Sequence, residues 1–132
     1  MIWFRDSNPT IRIIFLFMNP DNKITLPLVI VSLAFQNVGW SLSIQIAKLF
    51  EGIHPELEFH FIGNQAPNFQ DYWEPIMKDL PSNVKVWGEK DNVSDFMCAA
   101  DVLMFNSTWE CNPLVLREGI SYGLKILSRN LL

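Results

Sequence analysis

Basic residues are few in this chain and nowhere grouped: Lys+Arg number 10 against 14 Asp+Glu, a formal charge of −4 with no run of either sign. Nucleic acids are recognised by clustered basic faces, so none is expected as a partner. Cysteine is nearly absent. Cys98 and Cys111 stand thirteen residues apart with no His or Cys at metal-ligand spacing, which excludes a disulfide framework and a zinc knuckle and predicts two buried thiols in a reducing compartment. Gly63-Asn64 lacks the Gly-x-Gly-x-x-Gly spacing, against a nicotinamide or flavin site. No charged residue occurs between Lys23 and Lys48, yet Pro27, Gln36, Asn37, Gly39, Ser41, Ser43 and Gln45 interrupt the stretch, so it reads as a buried strand followed by an amphipathic helix and not as a membrane span. The apolar run Ile13 to Met18 is followed by Asn19-Pro20-Asp21 where a signal peptide needs small residues, so a cytoplasmic location is expected.

What is present is a large apolar fraction, 49% hydrophobic and 13% aromatic over 132 residues, enough for one globular domain with a filled core. From Pro27 onward short apolar, β-branched runs alternate with helix-period segments, the pattern of consecutive βαβ units. Strands are expected at Leu28 to Leu33, Glu58 to Ile62, Val84 to Trp87, Val102 to Phe105 and Lys125 to Leu127. Helices are expected near Trp40 to Glu51, Gln70 to Leu80 and Val93 to Ala100, with a fourth capped by Asn112 and opened by Pro113. The first should bury Leu42, Ile46, Leu49, Phe50 and Ile53 and end on a left-handed Gly52. The fold class is therefore α/β: a Rossmann-like, doubly wound parallel sheet of about five strands with helices on both faces. Residues 1–25 fit a partial N-terminal extension or linker, and 26–132 the domain itself.

A doubly wound sheet binds ligands at the carboxyl ends of its strands, where the strand order reverses. Here that point lies between the first and fourth strands, so two loops face it, Ala34 to Gly39 and Asn106 to Asn112. The second runs straight into the capped helix, whose free N–H groups and dipole suit a diphosphate. Glu110 precedes that helix and Glu118 lies inside it; an acid there can accept a ribose diol while the helix start holds phosphates. The same placement also suits two acids simply favoured by the dipole on a solvated helix start.

The run Trp109-Glu110-Cys111-Asn112-Pro113-Leu114-Val115-Leu116-Arg117-Glu118-Gly119 resembles the Glu-x7-Glu region of retaining, two-Rossmann-domain (GT-B type) glycosyltransferases of the group 1, family 4 kind. His60-Phe61-Ile62-Gly63 is similar to that family's second strand, Asn83-Val84-Lys85-Val86-Trp87-Gly88 to its third and Ala100-Asp101-Val102-Leu103-Met104-Phe105-Asn106-Ser107 to its fourth. The resemblance implies half of a GT-B architecture: the C-terminal, donor-binding domain, cut short at its C-terminus, of a hexosyltransferase making a polysaccharide or glycoconjugate. It would be inactive without an N-terminal acceptor-binding domain. The donor would be a UDP-, GDP- or ADP-linked sugar, with no metal and no other cofactor, in keeping with the lack of any Asp-x-Asp pair. Any peripheral membrane contact would come through the full-length enzyme. Glu110 would lie beside the transferred sugar as the catalytic residue and Glu118 would bind the ribose. Asn112, Pro113 and Leu114 would meet the diphosphate or sugar, Val86 and Gly88 would belong to the segment near the base, and Ser107, Gly39 and Gly63 would complete the binding set.

Asn112-Pro113 replaces the usual aromatic-Gly pair, and two further positions depart from the family. It carries Arg and Lys around the first strand's end, where this chain has Leu33 and Val38, so Lys90, Arg117 or Arg129 would have to neutralise the diphosphate. A catalytically degenerate nucleotide-binding or interaction module is thus the alternative, and a sugar-nucleotide epimerase of the same architecture a third reading resting on fold alone. His54 reads as a turn residue, His60 as a packed strand residue, Trp40, Trp73 and Trp87 as core or helix-cover aromatics, and Asp91 and Asp95 as support for the third helix. Trp109 reads as cover or as a ligand contact beside Glu110.

Overall fold

A computed structural model describes residues 3–5, 12–15, 29–34, 38–63, 67, 70–106 and 114–129, with side chains over 41–63, 67, 70–106 and 114–128. In chain order the elements are β1 (Trp3–Arg5), β2 (Arg12–Phe15), β3 (Val29–Ala34), α1 (Val38–Glu51), β4 (Glu58–Gly63), α2 (Gln70–Lys78), β5 (Val84–Gly88), α3 (Val93–Ala99), β6 (Val102–Phe105), α4 (Leu114–Ser121) and β7 (Lys125–Arg129). They form one sheet ordered β1-β2-β7-β6-β3-β4-β5. The five strands from β7 to β5 are parallel, because each connection between them carries a helix that returns the chain to the same edge. The expected sheet of about five strands is corrected to seven: β2 pairs antiparallel with β7 and β1 with β2, both from within residues 1–25. The free flank of β7 offers a row of backbone donors and acceptors that β2 takes up, and β1 then adds to the flank of β2.

Alternation along the parallel strands sends side chains into two cores. Phe59 and Phe61 of β4, Val102 and Met104 of β6 and Leu127 of β7 pack with Ile44, Ile46 and Ala47 of α1, flanked by Ile76 and Met77 of α2. On the other face Ile62, Leu103 and Leu124 pack with Met97 of α3, flanked by Val115 and Leu116 of α4. Helices thus cover both faces. The buried stripe of α1 differs from the expected one: Leu49 and Ile53 are exposed, whereas Ser43 and Ala47 are fully covered. At about 100° per residue Leu49 lies roughly 200° round from Ala47, and the two small residues let the helix axis approach the sheet. The same arithmetic turns Cys98 outward, since its neighbour Met97 is the buried residue of α3; the expected buried thiol at Cys98 is exposed. Cys111 lies outside the described residues.

Gly52 does not take the left-handed conformation expected of it; Ile53 and His54 N–H both return to the Phe50 carbonyl, at 3.0 and 2.7 Å. That conformation closes α4 instead. Gly123, at φ 76°, lets Leu124 N–H reach the Gly119 carbonyl at 3.0 Å and its own N–H reach Ile120 at 2.9 Å, a Schellman end. Gly119 is where α4 lies closest to the sheet: a Cβ there would come within 2.6 Å of the Leu103 side chain. Among the described residues no helix is long and apolar enough to cross a membrane.

Candidate functional site at the carboxyl edge of the sheet

The strand order reverses between β3 and β6, whose neighbours on either side lead to β4 and β7. The carboxyl ends of these strands are Ala34, Phe105 and, one strand further, Gly63. Two strands end here on glycines at positive φ, Gly63 at 148° and Gly88 at 71°. Both angles are disfavoured for L side chains, so the chain turns away from the sheet at points where any other residue would be strained.

Of the expected site residues, Gly39, Gly63, Val86, Gly88, Leu114 and Glu118 are described. Gly39 lies within the first turn of α1 and not in the preceding loop, because α1 begins two residues earlier than expected, at Val38. Leu114 is the first residue of α4 and 61% exposed. Glu118 is the fifth residue of α4, its side chain open to solvent, and its carbonyl accepts the Ser121 hydroxyl at 2.7 Å. Val86 points into the α1 core while Gly88 terminates β5. Glu110, Ser107, Asn112, Pro113 and Trp109 lie outside the described residues, as do the side chains of Leu33, Val38, Trp40 and Arg129. Of the cations considered as substitutes, Lys90 and Arg117 are exposed and form no ion pair with a described residue. Among the described residues no three His, Cys, Asp or Glu side chains group closely enough to hold a metal ion.

Sequence reasoning missed the buried polar link beneath this edge. Asn106, which follows β6 directly and is 5% exposed, donates from Nδ2 to Ser43 Oγ of α1 at 2.9 Å. Its Oδ1 has no partner among the described residues. A buried amide oxygen without a donor costs about 1–3 kcal/mol, and Asn83 Oδ1, before β5, is in the same position. The signal was in the sequence, as a polar residue ending an apolar strand, but its partner on α1 lies 63 residues away.

Next to Gly88 the sheet carries a second feature. β4 and β5 pair in register up to Phe61 with Val86; Ile62 then pairs with Gly88, leaving Trp87 as an extra residue in a β-bulge. The bulge aims the Trp87 indole at His60, where Nε1–H donates to Nδ1 at 2.9 Å with the two rings within 13° of coplanar. His60 Nε2 in turn meets Glu58 Oε2 at 3.0 Å, and Lys85 Nζ meets the same oxygen at 3.1 Å. The hydrogen bonds from His60 and then Lys85 hold the Glu58 carboxyl below its usual range. His60 is therefore more than a packed strand residue, and Trp87, 42% exposed, covers it.

No family model matches the sequence, and no curated protein matches it. Among solved structures, WaaG, a glycosyltransferase involved in lipopolysaccharide biosynthesis, superposes with a TM-score of 0.56 at 24% identity, over 83% of this chain and 30% of that one. The apo form of WaaB, a lipopolysaccharide outer core galactosyltransferase, does so with a TM-score of 0.51 at 21% identity, over 78% and 30%. The likeness shows the fold: this chain has a Rossmann-like α/β architecture of the kind found in those glycosyltransferases. It spans about 30% of their length.

Proposed function

We propose that this chain is the nucleotide-sugar-binding domain of a retaining glycosyltransferase acting in polysaccharide or glycoconjugate biosynthesis, paired in the active enzyme with a domain that binds the acceptor. The observation that carries the reading is the meeting of two features on one edge. The strand order reverses between β3 and β6, and the chain leaving β6 leads into α4, which presents an exposed Glu118 in its second turn.

The chemistry follows from that arrangement. The first four N–H groups of a helix have no intrahelical partner and attract an anion, so the donor's diphosphate sits at the start of α4, against Leu114 and the residues before it. Glu118 accepts hydrogen bonds from the ribose diol. The base lies against the exit of β5 at Gly88, and Glu110 reaches the transferred sugar. Transfer is driven by electrostatic stabilisation of the departing diphosphate, whose oxygens take the acceptor's proton, and the anomeric configuration is retained. No metal and no other cofactor takes part in this reading.

Leu33 and Val38 favour a second reading, a module that binds nucleotide without catalysis, because cations at those positions would contribute charge-assisted hydrogen bonds of about 1.5–3 kcal/mol each to the leaving group. Calorimetry with uridine, guanosine and adenosine diphosphates tests the first step. The proposal requires one of them to bind and Glu118→Ala to remove the binding, and fails if none binds. Supplying the acceptor domain and a panel of sugar nucleotides then separates catalyst from binder: turnover that Glu110→Ala abolishes supports the enzyme.

A further inference from the structure

Among the described residues, a continuous side-chain network runs along the face of β4 and β5 opposite α1. Lys85 and Glu58 stand at its start, His60 in the middle, Trp87 and Gly88 at the carboxyl edge. An indole nitrogen is a donor only. Its bond to His60 therefore fixes the imidazole as the neutral tautomer with an unprotonated Nδ1, and the remaining proton sits on Nε2, where it is given to Glu58. Both ring nitrogens are engaged, so the ring is not poised as a general base.

The arrangement does govern the bulge. Trp87 is the residue that has no partner in the β4–β5 ladder, and its indole is held by His60 on one side and by the edge of Phe96 from α3, centroids 5.3 Å apart, on the other. The residue after it is Gly88, at positive φ, from which the chain leaves the sheet. We infer that His60 is a positioning residue for the base end of the donor site, acting through Trp87 to fix the exit of β5, and that its neutral form is the one competent to bind. This rests on the functional reading above, which puts the nucleotide base against that exit.

Protonation would place a hydrogen on Nδ1 facing the indole N–H, two donors against each other, and the Trp87 bond would be lost. The charged groups around the ring set the balance. Glu58 on β4 favours the imidazolium and Lys85 on β5 opposes it; α3 carries Asp95, bonded to Asn92, and the exposed Cys98; β3 carries no ionisable residue. Nucleotide affinity therefore falls when that ring is protonated.

The test uses the 15N-labelled chain, with the Trp87 indole resonance assigned from Trp87→Phe, and calorimetry of uridine, guanosine and adenosine diphosphates over a range of pH. The Trp87 resonance should move on acidification of the free protein, and affinity for the diphosphate that binds should fall about fivefold, the low end of coupling between sites. His60→Ala should lose a similar factor at about pH 8. His60→Asn, whose amide oxygen can stand where Nδ1 stood and does not titrate, should restore affinity and abolish the pH dependence. An indole resonance that ignores pH, or a His60→Ala protein that binds as the parent does, overturns the inference alone. Absence of diphosphate binding by the parent at every pH overturns the functional reading and this inference with it.

Discussion

The two edges of the sheet are built on opposite plans. At the amino edge, polar groups are joined to one another: Asn83 Nδ2 donates to the Ala47 carbonyl at 2.9 Å, Glu51 accepts both Ser82 N–H and Ser82 Oγ at 2.6 Å, Lys48 pairs with Asp79, and Lys125 N–H meets the Asp101 carbonyl at 3.1 Å. The carboxyl edge has two strands ending on glycines at positive φ and a solvent-exposed glutamate on α4, and each edge keeps one buried asparagine oxygen, Asn83 Oδ1 and Asn106 Oδ1, that meets no donor among the described residues. Both edges reach the middle of α1, where Asn83 binds the Ala47 carbonyl and Asn106 the Ser43 hydroxyl four residues away. The difference teaches that ion pairs and side-chain links gather where the chain enters the strands, while the exits carry the exposed groups on which the proposed binding rests.

Both edges hang on one core, so the largest effect comes from removing it. Phe61→Ala, at a side chain with 0% exposure, should cost about 3–5 kcal/mol in urea unfolding and abolish binding with the fold. The paired asparagines sharpen the contrast. Asn83→Ala should cost about 1–3 kcal/mol in stability and leave nucleotide affinity unchanged, whereas Asn106→Ala should lower that affinity as well. If both variants lose affinity to the same extent after correction for the folded fraction, the division of labour is wrong. Glu118→Ala should reduce diphosphate affinity at least about tenfold, about 1.4 kcal/mol, while changing stability by less than about 0.5 kcal/mol, since its side chain is exposed.

The smallest effect is the pH response of the amino edge. The Ser82 hydroxyl and then its N–H hold the Glu51 carboxyl below the usual 4.5, and His60 and Lys85 do the same for Glu58. A depressed carboxyl contributes stability that is fully present above its unfolded value and lost as pH falls through the folded one. Thermal melts should therefore decline below about pH 4.5, and Glu51→Gln should flatten the decline slightly.

Much of the fold was legible because each parallel strand is a short apolar run bounded by turn residues, a signal local to its own sequence. β3 is shifted by a single residue from the expected run, while β6 begins and ends where expected. That β1 and β2 extend the sheet was not legible, since the pairing of β2 with β7, on which β1 then adds to β2, is decided more than a hundred residues along the chain. The stripe of α1 was misjudged at Leu49 because hydrophobicity favoured the larger residue, whereas close approach to the sheet favoured Ser43 and Ala47. At the site, Glu118 could be placed on its helix from the pattern around it. The His60–Trp87 bond could not, because it depends on a bulge between two strands whose sequences show no irregularity.

The central claim is that the carboxyl edge, and not the amino edge, receives a nucleoside diphosphate. An amide chemical-shift map on adding uridine, guanosine or adenosine diphosphate tests it most directly. The account predicts perturbations at Gly63, Gly88, Asn106, Leu114 and Glu118, with Glu51, Ser82 and Asn83 unmoved. Perturbations gathered around Asn83, or none with any of the three, would contradict it.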